Sequence, residues 1–283
     1  MPVVLIENFV PFEQSLEGRF PELALESCSE MTLNSFSSLC DDFYLDMYIN
    51  TELDLPTGRD TVLSFFERIQ KQFPLMGSFY RRENNDYYLE EDREHGQYRW
   101  VSLETDRIGS GVVNPSYFEM AYDQDRLVLE LVPYMLSVSP LDIDSLDVTL
   151  AMDFDCSGSH DEVIAEALLG QSAFNCLLDL PGAKPIGCSP AIVVALSGDE
   201  RTQTRISVES KTNVFGPKRK EQVIDEAISL SFTVRQYPGT SEKFDSLKSF
   251  EYQCRLAEEL MAEKIVPYFV LPLTETIAQK RLI

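Results

Sequence analysis

The chain has 283 residues, enough for one large domain or two of ordinary size, and its 44% hydrophobic and 11% aromatic residues supply a core. A formal net charge of −23 argues against binding nucleic acid or anionic lipid, because both rely on Lys and Arg to meet phosphate. It favours a partner with a basic face, or simple solubility.

Residues 1–42 read as an N-terminal extension. The opening "MPVVLIENFVPFEQ" lacks the basic region and long apolar run of a secretion signal, and no stretch reaches bilayer length. Six cysteines at 28, 40, 156, 176, 188 and 254 form no Cys-x-x-Cys pair, which suits reduced thiols. The expectation is a cytoplasmic protein with no membrane attachment and no nucleic-acid partner.

Tyr44 to Leu53 alternates as a strand. Thr57 and Asp60 have cap-box spacing before a helix whose stripe is Val62, Phe65, Phe66, Ile69 and Phe73. "GSFYRR" and "DYYLEE" then flank Asn84-Asn85 as a hairpin. "REHGQYRW" is a polar linker holding a solvated His95. "RIGSGVVN" (107–114) reads as a glycine-rich turn, without the lysine of a phosphate loop or the third glycine of a dinucleotide fingerprint. "PSYFEMA" is a short helical or irregular piece leading to a last strand, "RLVLELVPY" (126–134).

A second series follows. Leu146 to Phe154 is a strand, and Ser159 with Glu162 repeats the cap-box spacing. "AIVVALS" and "TRISVES" flank the turn "GDERTQ"; "KRKEQVIDEA" is a short helical or irregular piece; "SLSFTVRQY" (229–237) is the closing strand. A helix from about Glu242 to Ile265 carries Leu247, Phe250, Cys254, Ala257, Met261 and Ile265 on one face, and Pro267 and Pro272 break the tail.

The two series echo each other. Leu146 follows Leu45 by 101 residues, and the same offset matches Asp46 with Asp147, Asp54 with Asp155, Asp60 with Asp161 and Val62 with Val163. "WVSLETD" resembles "ISVESKT", and "RLVLELVPY" resembles "SLSFTVRQY". The reading is an α+β protein built by tandem duplication: a unit at 43–140, a second at 141–240, and a C-terminal helix and tail at 241–283. The units form an antiparallel, saddle-like sheet with helices packed on one face.

The strand-helix-strand opening ending in "FFERIQKQFP", the later "YMLSVSPL" and the second unit resemble an uncharacterised bacterial family of duplicated α+β proteins, over Phe43 to Tyr237. The chain lacks that family's proline-rich opening, and the resemblance implies no known activity. The topology also resembles, at the level of fold alone, the duplicated saddle of TATA-binding proteins and the helix-grip ligand cavities.

"DFDCSGSHDE" (153–162) gathers four carboxylates, a thiol and a histidine. As a calcium loop it fails, since the twelfth residue from Asp153 is Ile164 rather than an acid. The corresponding stretch of the first unit has no Cys or His, so the sequence favours a polar strand-to-helix turn. A nucleophile–base pair of Cys156 and His160 would sit among carboxylates that raise the thiol pKa. "KTNVFGPKRK" (211–220) is a basic cluster suited to an anion.

The functional reading is a non-catalytic binding protein that needs no cofactor or metal. It engages a protein partner with a basic face, or a small ligand, at the open sheet face. The anchors expected are Tyr80, Tyr87 and Tyr88, with Lys218 and Arg219. The competing reading is a hydrolase or metal-assisted enzyme centred on Asp153, Asp155, Cys156 and His160. Oligomeric state is not legible.

Overall fold

A computed structural model describes residues 34–82, 85–210, 227–239 and 243–281. After a single helical turn, α1 (Asn34–Ser37), the chain enters β1 (Asp42–Thr51), whose residues alternate strictly between half-buried and buried. Phe43, Leu45, Met47 and Ile49 line one face and are sealed from water; Tyr44, Asp46, Tyr48 and Asn50 line the other. β1 pairs antiparallel with β5 (Arg107–Val113) on one side and β6 (Ile143–Phe154) on the other.

The sheet grows outward from that trio. Beyond β5 lie β4 (Tyr98–Leu103), β3 (Tyr87–Glu90) and β2 (Ser78–Arg81); beyond β6 lie β9 (Ile228–Gln236), β8 (Thr202–Ser210) and β7 (Ala191–Ala195). All adjacent pairs are antiparallel, giving one nine-stranded sheet in an α+β fold. The expected hairpins form: β2 with β3, closed by Asn85 at φ 74°, and β7 with β8. Asn84 and the piece "KRKEQVIDE" lie outside the described residues.

Helix α2 (Arg59–Gln72) buries Val62, Phe65, Phe66 and Ile69, the stripe its spacing predicts. Its start differs from the reading: the N-cap is Gly58, with no side-chain cap, so Thr57 does not close a box with Asp60. Ahead of α4 (His160–Ile164) the cap does form, Ser159 Oγ accepting from the Glu162 amide at 3.4 Å, and a single turn, α5 (Asn175–Leu178), follows before β7.

"RLVLELVPY" is not a strand. It is the second half of α3 (Phe118–Met135), and so is not a counterpart of the strand "SLSFTVRQY". Buried Ala121, Tyr122, Asp125, Val128, Leu129 and Val132 recur at helical spacing, and that longer period prevails over the local apolar run. The prolines of the tail do not break it either. α6 (Ser246–Leu260) runs on through a wider π-helical stretch, Met261–Val270, containing Pro267, and then α7 (Leu271–Arg281), with Pro272 in its first turn. A π stretch has irregular hydrogen bonding in which a missing N–H is tolerated, and a helix start is the other place where it is.

α3 packs on β1 and β5, and α6 on β6 and β9, each through a buried glutamine. Gln124 Nε2 donates to the Trp100 and Gly111 carbonyls of β4 and β5, at 3.0 and 3.2 Å. Gln253 Nε2 donates to the Leu146 and Val234 carbonyls of β6 and β9, at 2.6 and 2.9 Å. The two glutamines head matching octapeptides, "QDRLVLEL" and "QCRLAEEL".

Replacing Gln253 by Leu leaves the two strand carbonyls without this donor and removes the Oε1 acceptor of the Ser249 hydroxyl. The expected loss is about 1–3 kcal/mol of unfolding free energy, measured by urea denaturation; a change below about 0.5 kcal/mol contradicts this account of how α6 is fastened.

Candidate functional site: the open face of the sheet

The face opposite α3 and α6 carries side chains that the register sets in rows across the strands. One row runs Tyr80, Tyr88, Ser102, Gly109, Tyr48, Asp147, Arg235, Gln203. The next runs Ser78, Glu90, Trp100, Gly111, Asp46, Thr149, Thr233, Arg205.

The first half of this face is filled by its own side chains. "RIGSGVVN" forms β5 rather than a turn, and its glycines have a steric reason: the Trp100 indole lies across them. A Cβ on Gly109 would sit 2.8 Å from Trp100 Cζ3, and one on Gly111 would collide with the Asp46 carboxyl and the indole nitrogen. Arginines cover the remaining rings. Arg107 lies 4.8 Å from the Tyr48 centroid and Arg82 3.8 Å from that of Tyr88. The space left there is about 260 Å³.

The second half is open. Its floor is made of small side chains, Thr149, Ala151, Ser229, Ser231 and Thr233, beneath a cavity of about 700 Å³. Tyr44 and Tyr48 flank it on the β1 side, and Val193 and Arg205 on the other. Most polar groups here are already engaged. Arg235 grips Asp147 through two bonds of 2.6 Å, Thr149 and Thr233 hydroxyls meet at 2.8 Å, and Asp153 accepts from Tyr44 Oη at 2.9 Å and Ser229 Oγ at 2.7 Å. The lining of the two compartments holds five arginines against six carboxylates, a nearly balanced patch on a strongly acidic chain.

Asp46 lies between the compartments. Its Oδ1 is shut off from water with no hydrogen-bond partner among the described residues, and burial pushes its carboxyl up to about 7, offset in part by the Trp100 indole. Behind it, on α3, the fully buried Asp125 is driven well above the usual carboxylate range by desolvation and then by Asp46.

The predicted site residues separate. Tyr80 and Tyr88 stack on the open face with centroids 5.7 Å apart, whereas Tyr87 lies on the opposite face, stacked on Phe79. Lys218 and Arg219 lie outside the described residues. Of "DFDCSGSHDE", only Asp153 reaches the trough. The Asp155 amide donates to Asp41 at 2.7 Å, and its carbonyl accepts from Arg281 at 2.7 Å. Both His160 nitrogens are engaged, Nε2 with the Cys156 carbonyl at 2.9 Å and Nδ1 with Ser210 Oγ at 3.0 Å. The Cys156 thiol faces the Ser157 carbonyl and is raised by burial, which Arg281 and Lys280 oppose; the surrounding carboxylates are not the cause. Asp161 takes the Cys188 amide at 2.9 Å. His95 is exposed, as read.

Among the described residues no three of His, Cys, Asp and Glu are grouped to hold a metal ion, and no helix is long and apolar enough to cross a membrane. The five described cysteines are free thiols. Sequence reasoning missed Asp46, Trp100, Arg205 and Arg235 as site residues. The available signal was the Gly-x-Gly within an apolar run, which marks a close approach to the backbone. No protein-family model matches the chain, and the curated proteins searched contain no match to it.

Two measurements check this geometry. Gly111→Val should destabilise the fold by about 1–3 kcal/mol through overpacking, and Trp100→Ala should recover part of that loss when combined with it. The pH dependence follows from Asp46, whose folded pKa is raised from 3.8 to about 7. The stabilisation from its bound proton is complete below pH 4 and is lost as pH climbs to 7. Urea titrations across that window should show Asp46→Asn with a flatter pH dependence than the native chain, by up to ~1.4 kcal/mol per pH unit; parallel curves would contradict the assignment.

Proposed function

We propose that the chain is a non-catalytic binding protein that holds a small polar ligand in the second-half trough. The observation that carries this reading is the contrast between the halves. Trp100 and the arginine-covered tyrosines occupy the first, and small hydroxyl side chains leave about 700 Å³ open in the second. That volume lies in the range of small-molecule sites.

The contrast gains weight from the layout of the chain. Each half runs strand, helix, antiparallel strands, long helix, and Met47 pairs at the centre with Val148, which follows it by 101 residues. That is the offset of the sequence echo. Together with the two glutamine-headed octapeptides, it leads us to infer two copies of one unit, the C-terminal helix being the counterpart of α3. One copy closed its trough and the other kept it.

The ligand class follows from what the protein leaves available. Arg235 is held by Asp147 and Arg107 by Glu104, while Arg205 has no ion pair among the described residues. A ligand with one carboxylate or phosphate group, seated on the Ser/Thr floor, uses that guanidinium. The balanced charge of the trough supports this small ligand over a basic protein surface as its occupant.

Native mass spectrometry of gently purified protein, followed by thermal-shift assays with small carboxylates and phosphate monoesters, tests the proposal. Binding should be retained by the native chain and abolished by Ala151→Phe, which fills the floor. Arg205→Ala should weaken it by about tenfold to a hundredfold. Binding untouched by Ala151→Phe in a folded protein would place the ligand elsewhere.

A further inference from the structure

The outermost strand on the second-half edge is unguarded. All five residues of β7, Ala-Ile-Val-Val-Ala, are exposed, with Ile192 57%, Val193 58% and Val194 42% accessible. None is charged, and among the described residues one backbone edge of β7 has no neighbouring strand. Natural edge strands are normally protected by charge, proline, brevity or a covering element. The opposite edge follows that rule: β2 is four residues long, carries Arg81, and has Phe79 packed on Phe66 of α2. The second half has less such cover among the described residues, because its first helix, α4 with its π-helical continuation Ala165–Leu169, runs ten residues where α2 has fourteen. Ile192 and Val194, on the helix side, therefore stay bare.

The segment before β7 extends the patch. Phe174, Leu177, Leu180 and Ile186 are exposed apolar residues, and between residues 170 and 196 the only charges are Asp179 and Lys184. In a chain of net charge −23 this is a neutral, apolar strip ending on an open backbone edge.

We infer that β7 is the seam of a homodimer, two copies pairing antiparallel about a two-fold axis at Val193. Such a pairing sets Ile192 of one copy against Val194 of the other, apolar on apolar at each step. A second copy suits the strip because a strand without polar side chains offers nothing to select a foreign sequence, whereas an isologous contact needs only self-complementarity. The neutrality matters too, since elsewhere like charges of two acidic copies would meet. Val193 also faces the trough, so the paired strand extends the wall of the site.

Sedimentation equilibrium of the full chain at about 0.05 M and about 0.5 M salt tests this. The expected species is a dimer whose association strengthens as salt screens repulsion between the two acidic bodies. The double variant Ile192→Lys/Val194→Lys should weaken association about a hundredfold or more, with circular dichroism unchanged because both positions are exposed. A monomeric native chain, a dimer that survives the double substitution, or association that weakens with salt would each overturn the inference. So would a monomeric full chain that dimerises once residues 1–33 are removed, since the edge would then be covered by the chain's own N-terminal segment.

Discussion

The antiparallel contact between β1 and β6 is the constraint on which everything else rests. Both strands are central, and every buried residue of β1 faces the layer occupied by α3 and α6. Because side chains alternate, a slip of one residue would carry Phe43, Leu45, Met47 and Ile49 to the open face and Tyr44, Asp46 and Tyr48 into the core. The rows that define the open face follow from this register: Asp46 beside Thr149, and Tyr48 beside Asp147.

The helical layer and the open face are two consequences of one sheet. Against the helices the sheet offers Val, Leu, Ile, Met and Phe, and the few polar groups there are amide clasps such as Gln124 and Gln253 or buried acids such as Asp125, whose carboxyl desolvation pushes well above the usual range. On the other side the charged groups are mostly paired with each other, so the face is polar without being strongly charged. An acidic chain thereby presents a nearly neutral trough. The net charge of the chain and the charge of this face are separate properties.

Asp46 shows how packing changes the meaning of a residue. A surface aspartate is an anion at neutral pH; beneath Trp100, with Gly111 alongside, it holds its proton to about pH 7. The glycines that admit the indole are also what shuts out water, so the close approach at β5 and the raised pKa have one cause.

The strict alternation of β1, the aromatic stripe of α2 and the β2–β3 and β7–β8 hairpins were legible from the sequence, because each depends on neighbours within a few residues. The 101-residue spacing of the sequence echo is also the spacing between Met47 and Val148, which pair at the centre of the sheet. "RLVLELVPY" and "RIGSGVVN" were misread as strand and turn, since a short apolar run and a glycine pair take their identity from what packs on them. The separation of Tyr87 from Tyr80 and Tyr88, the pairing of Arg235 with Asp147 across two strands, and the place of β7 at the end of the described sheet belong to the tertiary structure alone. Each depends on which strands become neighbours, and strand order is set by long-range burial that no local window of sequence contains.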